Sequence, residues 1–272
     1  MLRLICDKEQ SLKEFTENNY AQASFFWSVL LKNKEIKVNG KRVSSDICVF
    51  AGDEICYFLT AKQAEKLAFY SVYEDENILI VDKDSGVNAE AVFAALSRER
   101  ECYFIHRIDR NTRGLLVFAL TKKAEEELLS AFKERRVAKR YHALCFGVFK
   151  KQKDILTAYL KKDEKRALVK IFDAPTRDAE KIVTEYSVLK TDGETTLVEV
   201  TLHTGKTHQI RAHFSHIGCA LVGDMKYGSA EKNRAYNAAR QRLVAKTLSF
   251  SLTGEFSYLN GRVFHSRFNA EE

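Results

Sequence analysis

The sequence predicts an α+β protein: a small leading unit, then a larger domain that mixes strands and helices. Three observations carry this. Asn39-Gly40 is a strong hairpin signal and joins strands expected over Glu35–Val38 and Arg42–Val43. Leu197-Val-Glu-Val-Thr-Leu202 alternates as a half-buried strand does. Glu125–Arg136 reads as a helix, with Leu128, Leu129 and Phe132 on one face and charges on the other.

The elements follow in order. Leu12, Phe15 and the stretch Phe25-Phe-Trp-Ser-Val-Leu-Leu31 predict two short helices ahead of the hairpin. Gly52-Asp53 is a second turn, before a strand over Glu54–Leu59. These make a unit spanning residues 1–60. Residues 61–68 are charged and lack Gly and Pro, and are expected to be a linker. A second domain over 69–268 opens with strands at Phe69–Glu74 and Asn77–Val81. Pro175 is the single proline, so strand limits are weakly marked from there on. No Gly-x-Gly-x-x-Gly run, Walker loop, internal repeat or heptad run occurs, so no nucleotide cofactor is implied.

Composition narrows the class. The 272 residues suffice for one or two domains with a real core. Lys and Arg number 44 against 37 Asp and Glu, a net charge of +7, and that balance fits a polyanionic partner. The six cysteines are scattered without a Cys-x-x-Cys pair, which argues against a zinc site and a disulfide framework. His203, His208, His213 and His216 lack the i, i+4 pair around a glutamate that a zinc-protease helix needs, so no metal is expected. His208 and His213 are expected instead to hydrogen-bond the loop carrying Arg211. No apolar run is long enough to cross a membrane, and Asp7, Lys8 and Glu9 do not suit a signal peptide. A cytoplasmic monomer is the expectation.

The chemistry concentrates in His106-Arg-Ile-Asp-Arg-Asn-Thr-Arg-Gly-Leu115. Asp109 lies among three arginines, and a carboxylate beside fixed positive charge stays ionised, available as nucleophile or base. This segment resembles the His-Arg-Leu-Asp-x-x-Thr-Ser-Gly-Leu signature of the RluA-type pseudouridine synthases, with Arg113 in place of the serine. Three further blocks resemble the same family in the same order. Ile78–Gly86 resembles a strand followed by Lys-Pro-x-Gly, matching at Lys83 and Gly86 but with Asp84 for the proline. Lys139–Gly147 resembles Tyr-x-Ala-x-x-x-Gly, with Tyr141 as the tyrosine. Thr204–His213 and Gly223–Gly228 resemble Thr-Gly-Arg-Thr-His-Gln-Ile-Arg-x-His and Gly-Asp-x-x-Tyr-Gly, with Arg211 as the arginine. Leu243–Phe250 follows the family's last strand, with Val244 where a histidine is usual.

The leading unit resembles the RNA-binding module named after ribosomal protein S-four, through Lys37–Lys41 and Gly52–Ile55. Ala23-Ser24-Phe25 replaces that module's Ser-Arg pair, and Lys34 its glycine. The whole is similar to the RluC- and RluD-like members that carry such a module. The resemblance implies a mixed, largely antiparallel central sheet with flanking helices, and isomerisation of uridine in RNA to pseudouridine without cofactor or metal.

It also implies roles. Asp109 would act on the sugar, either by attacking the anomeric carbon or by removing the neighbouring proton; the residues leave both routes open. Arg211 would aim Asp109, and Tyr141 would stack on the uracil and handle the carbon-five proton. Substrate contacts are expected from His106, Arg107, Arg110 and Ile210, with Arg107 filling the gap left by a flipped base and Ile210 walling an enclosed, largely apolar pocket. Lys32, Lys34, Lys37, Lys41 and Arg42 would hold RNA phosphates in the leading unit. Arg110, Arg113 and the run Lys133–Arg140 would do so in the second domain. Ribosomal RNA of the large subunit is favoured over transfer RNA. A transfer-RNA substrate and a non-catalytic ribosome-assembly factor on this scaffold are the alternatives. A glycosidase is disfavoured, because it normally uses two carboxylates and the motif offers one.

Overall fold

A computed structural model describes residues 1–65, 68–163 and 168–272. The leading unit runs β1 (Leu2–Ile5), β2 (Gln10–Ser11), α1 (Leu12–Asn19), α2 (Ala21–Phe25), α3 (Trp27–Lys32), β3 (Ile36–Val38), β4 (Lys41–Val43), β5 (Cys48–Val49) and β6 (Glu54–Tyr57). Ser11 caps α1 by accepting from the Glu14 amide at 3.0 Å. Three short helices stand where two were expected. The chain leaves helical geometry at Tyr20 and again at Phe26, inside the stretch read as one helix. The hairpin forms as predicted, with Asn39 and Gly40 at φ 48° and 77°, the pair of positive values that a two-residue turn of this kind needs. β1 is unmarked in the sequence and pairs antiparallel with β6 to complete a four-stranded sheet in the order β1-β6-β3-β4. Leu12, Phe15, Leu30, Ile36, Ile55 and Tyr57 fill the core beneath it.

Of the expected linker 61–68, Ala61–Glu65 form a short helix, α4, and Ala68 is buried. Residues 66 and 67 of that linker lie outside the described residues. The chain continues through β7 (Phe69–Glu74), β8 (Ile78–Lys83), α5 (Ala89–Glu99), β9 (Tyr103–Phe104), β10 (Arg113–Ala119), α6 (Lys122–Lys133), β11 (Val137–Phe146), β12 (Lys153–Asp163), β13 (Leu168–Phe172), β14 (Glu180–Thr191), β15 (Thr195–Leu202), α7 (Gln209–His216), α8 (Ala230–Ala235), β16 (Leu243–Phe250) and β17 (Val263–His265).

The strands form one mixed sheet in the order β13-β12-β14-β15-β11-β16-β10-β8-β7, with β17 on β16 and β9 on β10. Among its described pairings only β10 with β16 is parallel. This is the α+β architecture expected, largely antiparallel with flanking helices. On one face, α5 and α7 pack over Leu79, Val81, Leu116, Tyr141 and Val200. On the other, α6 covers Ile78, Ile80, Leu115 and Val117. Leu128 of α6 is buried and Phe132 half-buried, but Leu129 is exposed, against expectation. The buried stripe is Ala124, Leu128 and Ala131, and at about 100° per residue Leu129 turns away from it. The leading unit is not detached: Phe25 sits edge-on to Phe69 and belongs to the same core as Val92 of α5.

Gly114 fixes the sheet's centre. Its φ is 113°, and an added Cβ would lie 2.3 Å from the Ala245 carbonyl oxygen. Only glycine lets β10 join β16 directly after the Asp109 segment.

Candidate active site

Residues 106–112 connect β9 to β10, and the chain ties this loop down from several directions. The Gly86 amide donates to the Arg110 carbonyl at 2.9 Å, and the Thr112 amide to the Asp109 carbonyl at 3.0 Å. Ser85 Oγ donates to the Asn111 carbonyl at 3.1 Å, and Gln241 Nε2 to Thr112 Oγ1 at 2.7 Å. Lys83 is wholly buried, and its Nζ donates to the carbonyls of Asp84, Val87 and Arg110 at 3.0, 2.8 and 3.0 Å. Burial pushes its pKa down to about 7, against the pull of Asp84 and Asp109. The block Lys83–Gly86 is thus the cradle of the Asp109 loop.

Arg211 reaches Asp109 from α7. Its Nη1 donates to Asp109 Oδ2 at 2.9 Å. Its Nε and Nη2 grip Asp224 at 2.7 and 3.0 Å, a two-pronged pair that sets the plane of the guanidinium. The Asp224 side chain has no exposed surface. Burial raises its pKa, but Arg211 and the amides of Lys226 and Tyr227 together hold it below the usual carboxylate value. Asp224 lies within the matched Gly-Asp block, yet the sequence offers no sign that it orients Arg211. The link exists only in the fold.

Tyr141 on β11 lines the same cleft. Burial, reinforced by the Asp109 charge, raises its pKa, so the phenol is neutral at ordinary pH. The cleft, of about 580 Å³, has an inner wall that includes Ile108, Tyr141, Ile210 and Leu243. Its rim carries Arg107, Lys133, Arg135, Lys139 and Lys206. An enclosed, largely apolar pocket was expected; the lining is mixed, with buried Thr112, Gln209 and Arg211 beside the apolar residues and cations around them.

The other expected residues distribute as follows. Arg107 is exposed and paired with Glu90 at 2.6 Å. His106 stacks on Phe132 and accepts from the Val117 amide at 3.2 Å. Burial lowers its pKa to about 3, which keeps the ring neutral and suited to accept. Arg110 presents its carbonyl to Lys83 and Gly86. Arg113 pairs with Asp84 at 3.1 Å and lies over the Phe268 ring.

The run Lys133–Arg140 divides. Arg136 is taken up by Glu127 and Glu134, and Arg140 by Glu199, whereas Lys133, Arg135 and Lys139 line the cleft. In the leading unit Lys32, Lys34, Lys41 and Arg42 are exposed, while Lys37 is half-buried over the Phe58 ring.

Arg211 stands on a helix, not on the loop expected. His208 contacts Tyr227 at 2.8 Å and His213 contacts Thr184 at 2.9 Å. All six cysteines are free, and among the described residues no cluster of metal-ligating side chains occurs. None of the described helices is long and apolar enough to cross a membrane.

Comparison with known proteins bears on this cleft. The RNA pseudouridylate synthase family model matches residues 62–216. The chain is 31% identical over 231 residues to a ribosomal large subunit pseudouridine synthase C of Rickettsia felis, covering 74% of this chain and 75% of that protein. It is 35% identical over 252 residues to an uncharacterized RNA pseudouridine synthase of Mycoplasma pneumoniae, covering 82% and 77%. The solved structure of human RNA pseudouridylate synthase domain containing 1 superposes with a TM-score of 0.60 at 26% identity, over 74% of this chain and 90% of that one. The fold, the four ordered sequence blocks and these matches lead to one conclusion: the chain belongs to the RluA-type family of RNA pseudouridine synthases and is an enzyme of that class.

Proposed function

We propose that the enzyme acts on uridines of large-subunit ribosomal RNA, with Asp109 as the reacting carboxylate, Arg211 as its positioning partner and Tyr141 as the platform for uracil. One observation carries the assignment. Asp109 meets Arg211 at 2.9 Å in a cleft that Tyr141 also lines. A single carboxylate held by a planar cation suits a reaction that builds positive charge on a sugar.

In this reading the target nucleotide leaves its helix and enters the cleft, and Arg107 stands in for the missing base. Asp109 acts at the sugar, by attack on the anomeric carbon or by taking the neighbouring proton. The bond to uracil nitrogen one breaks, the uracil turns against Tyr141 and Ile210, and carbon five bonds to the same sugar carbon as the Asp109–sugar bond breaks or the proton taken from the sugar is returned. The proton on carbon five then leaves and nitrogen one gains one, so substrate and product are isomers. A phenol kept neutral serves as stacking surface and proton relay rather than as a standing base. His106 and Arg110 shape the loop and rim around the sugar.

Residues 1–60 are read as an RNA-docking domain of the ribosomal-protein-S-four type and residues 69–268 as the catalytic domain, with the exposed cations Lys32, Lys34, Lys41 and Arg42, and Lys37 beside them, facing phosphates. The name of the Rickettsia relative favours ribosomal over transfer RNA. Asp109→Asn tests the whole: it keeps the shape and loses the charge. Tritium release from RNA labelled at uracil carbon five should fall to background with RNA binding retained, and pseudouridines mapped in cells should vanish from large-subunit RNA. Activity within about tenfold of wild type would remove Asp109 from the chemistry.

A further inference from the structure

We propose that His208 is a positioning residue for the reaction. Its Nε2–H is aimed at Asp109 Oδ2, so that His208 and Arg211 hold one carboxylate oxygen between them and leave Oδ1 to meet the sugar.

The placement of His208 is unusual. It precedes α7 with φ 55° and ψ 19°, a left-handed conformation uncommon outside glycine, and its side chain does not cap the helix. That backbone turns the imidazole into the cleft. Nδ1 lies 2.8 Å from the Tyr227 hydroxyl. The same hydroxyl accepts from the Val169 amide at 2.9 Å. Nδ1 is the described acceptor within reach of the hydroxyl's own proton, and we take the tautomer in which it receives that proton. A neutral imidazole that accepts at Nδ1 carries its hydrogen on Nε2.

Nε2 is 3.8 Å from Asp109 Oδ2, the atom that Arg211 Nη1 contacts at 2.9 Å. Oδ1 receives no hydrogen bond from the described residues. A separation of 3.8 Å exceeds a hydrogen bond, and contacts of this kind shorten when substrate fills a site.

Burial keeps the ring neutral, with the surrounding charges divided. Burial lowers its pKa first. Arg211 and Lys226 lower it further, while Asp109 and Asp224 act the other way, and the balance lies below 6.5. On acidification a proton at Nδ1 would displace the one donated by Tyr227, forcing that hydroxyl to turn. The resulting imidazolium would bind Asp109 as an ion and draw charge from the oxygen that reacts. Activity should therefore fall on the acid side through His208 itself.

The proposal rests on Asp109 being the reacting carboxylate, so Asp109→Asn is measured alongside. The substrate is carbon-five-tritiated RNA from cells lacking the enzyme, with full-length protein throughout and thermal melts to confirm folding. His208→Asn suits the left-handed backbone but is too short to reach Asp109. It should lower kcat about 100-fold with KM within about threefold, the scale of a misaimed reactive group. His208→Gln restores a neutral N–H of longer reach; it should recover about tenfold of that loss and lack the acid limb that wild type shows below pH 6.5. Tyr227→Phe releases the tautomer and should shift that limb. A kcat for His208→Asn within about threefold of wild type, or an acid limb that persists in His208→Gln, overturns the proposal. If Asp109→Asn remains active, the assignment of Asp109 fails instead, and the two failures are distinct.

Discussion

Arg113 Nε donates to Asp84 Oδ1 across 3.1 Å, and these two residues are departures from the family signature beside the Asp109 loop. A serine and a proline are usual at their places. Here the two replacements meet, and Asp84 also accepts from the Ser85 amide at 2.6 Å. The cradle that a rigid ring would stiffen is stiffened by an ion pair.

A double-mutant cycle measures that coupling. Arg113→Ser removes one partner of the buried Asp84 carboxylate and should destabilise the fold; Asp84→Asn should do so less. The double variant should be more stable than the sum of the singles implies, by about 1–3 kcal/mol in urea unfolding. Additive effects would mean that the contact contributes nothing.

Arg211→Lys keeps the charge but cannot grip Asp224 with two prongs while reaching Asp109. Turnover should drop at least ~100-fold with RNA affinity little changed. A rise confined to the Michaelis constant would make Arg211 a phosphate contact instead.

His213 is buried, and burial lowers its pKa to about 4. The unfolded chain binds this proton from about pH 6.5 downward, whereas the folded one resists until about pH 4. Its contribution to stability is therefore full above pH 6.5 and declines as pH falls toward 4, by at most ~1.4 kcal/mol per pH unit. Unfolding free energies across that range should fall less steeply for His213→Gln than for wild type. Parallel pH curves would assign the acid sensitivity to other groups.

Salt dependence separates the cations. Neutralising Lys34, Lys41 and Arg42 together should flatten log affinity against log salt, each phosphate contact being worth about 0.7–0.9 of slope. Neutralising Lys133, Arg135 and Lys139 should also flatten it, whereas Arg136→Gln with Arg140→Gln should leave it unchanged, because those two are held by glutamates. Point changes suit this test better than removing residues 1–60, since Phe25 shares a hydrophobic core with Val92 and Leu116 of the second domain. Equal slopes for the two groups of the 133–140 run would refute the division.

The sequence made local features legible. The Asn39-Gly40 hairpin, the strand ending at Leu202 and the chemistry-bearing blocks all announce themselves within about ten residues, because turn chemistry and short-range periodicity act at that range. β1 was missed, as four half-exposed residues carry little pattern. Leu129 was misplaced because three apolar residues in a short window do not fix a face. Asp224 and Gln241 escaped for a different reason: each acts on a residue far away in the chain, and only packing brings them to Arg211 and Thr112.

The position of β16 has a consequence for synthesis. It comes after the Asp109, Tyr141 and Arg211 segments in the chain, yet it lies between β11 and β10 in the middle of the sheet, with Ala245 against Gly114. Until it inserts, β10 has no parallel neighbour, Gln241 is not there to hold Thr112, and the two halves of the sheet have no common spine. Chains emerge from the ribosome amino terminus first. A nascent copy can therefore carry every signature residue and still lack a working centre. The centre is complete only once β16 has joined β10 and β11 and Gln241 has reached Thr112.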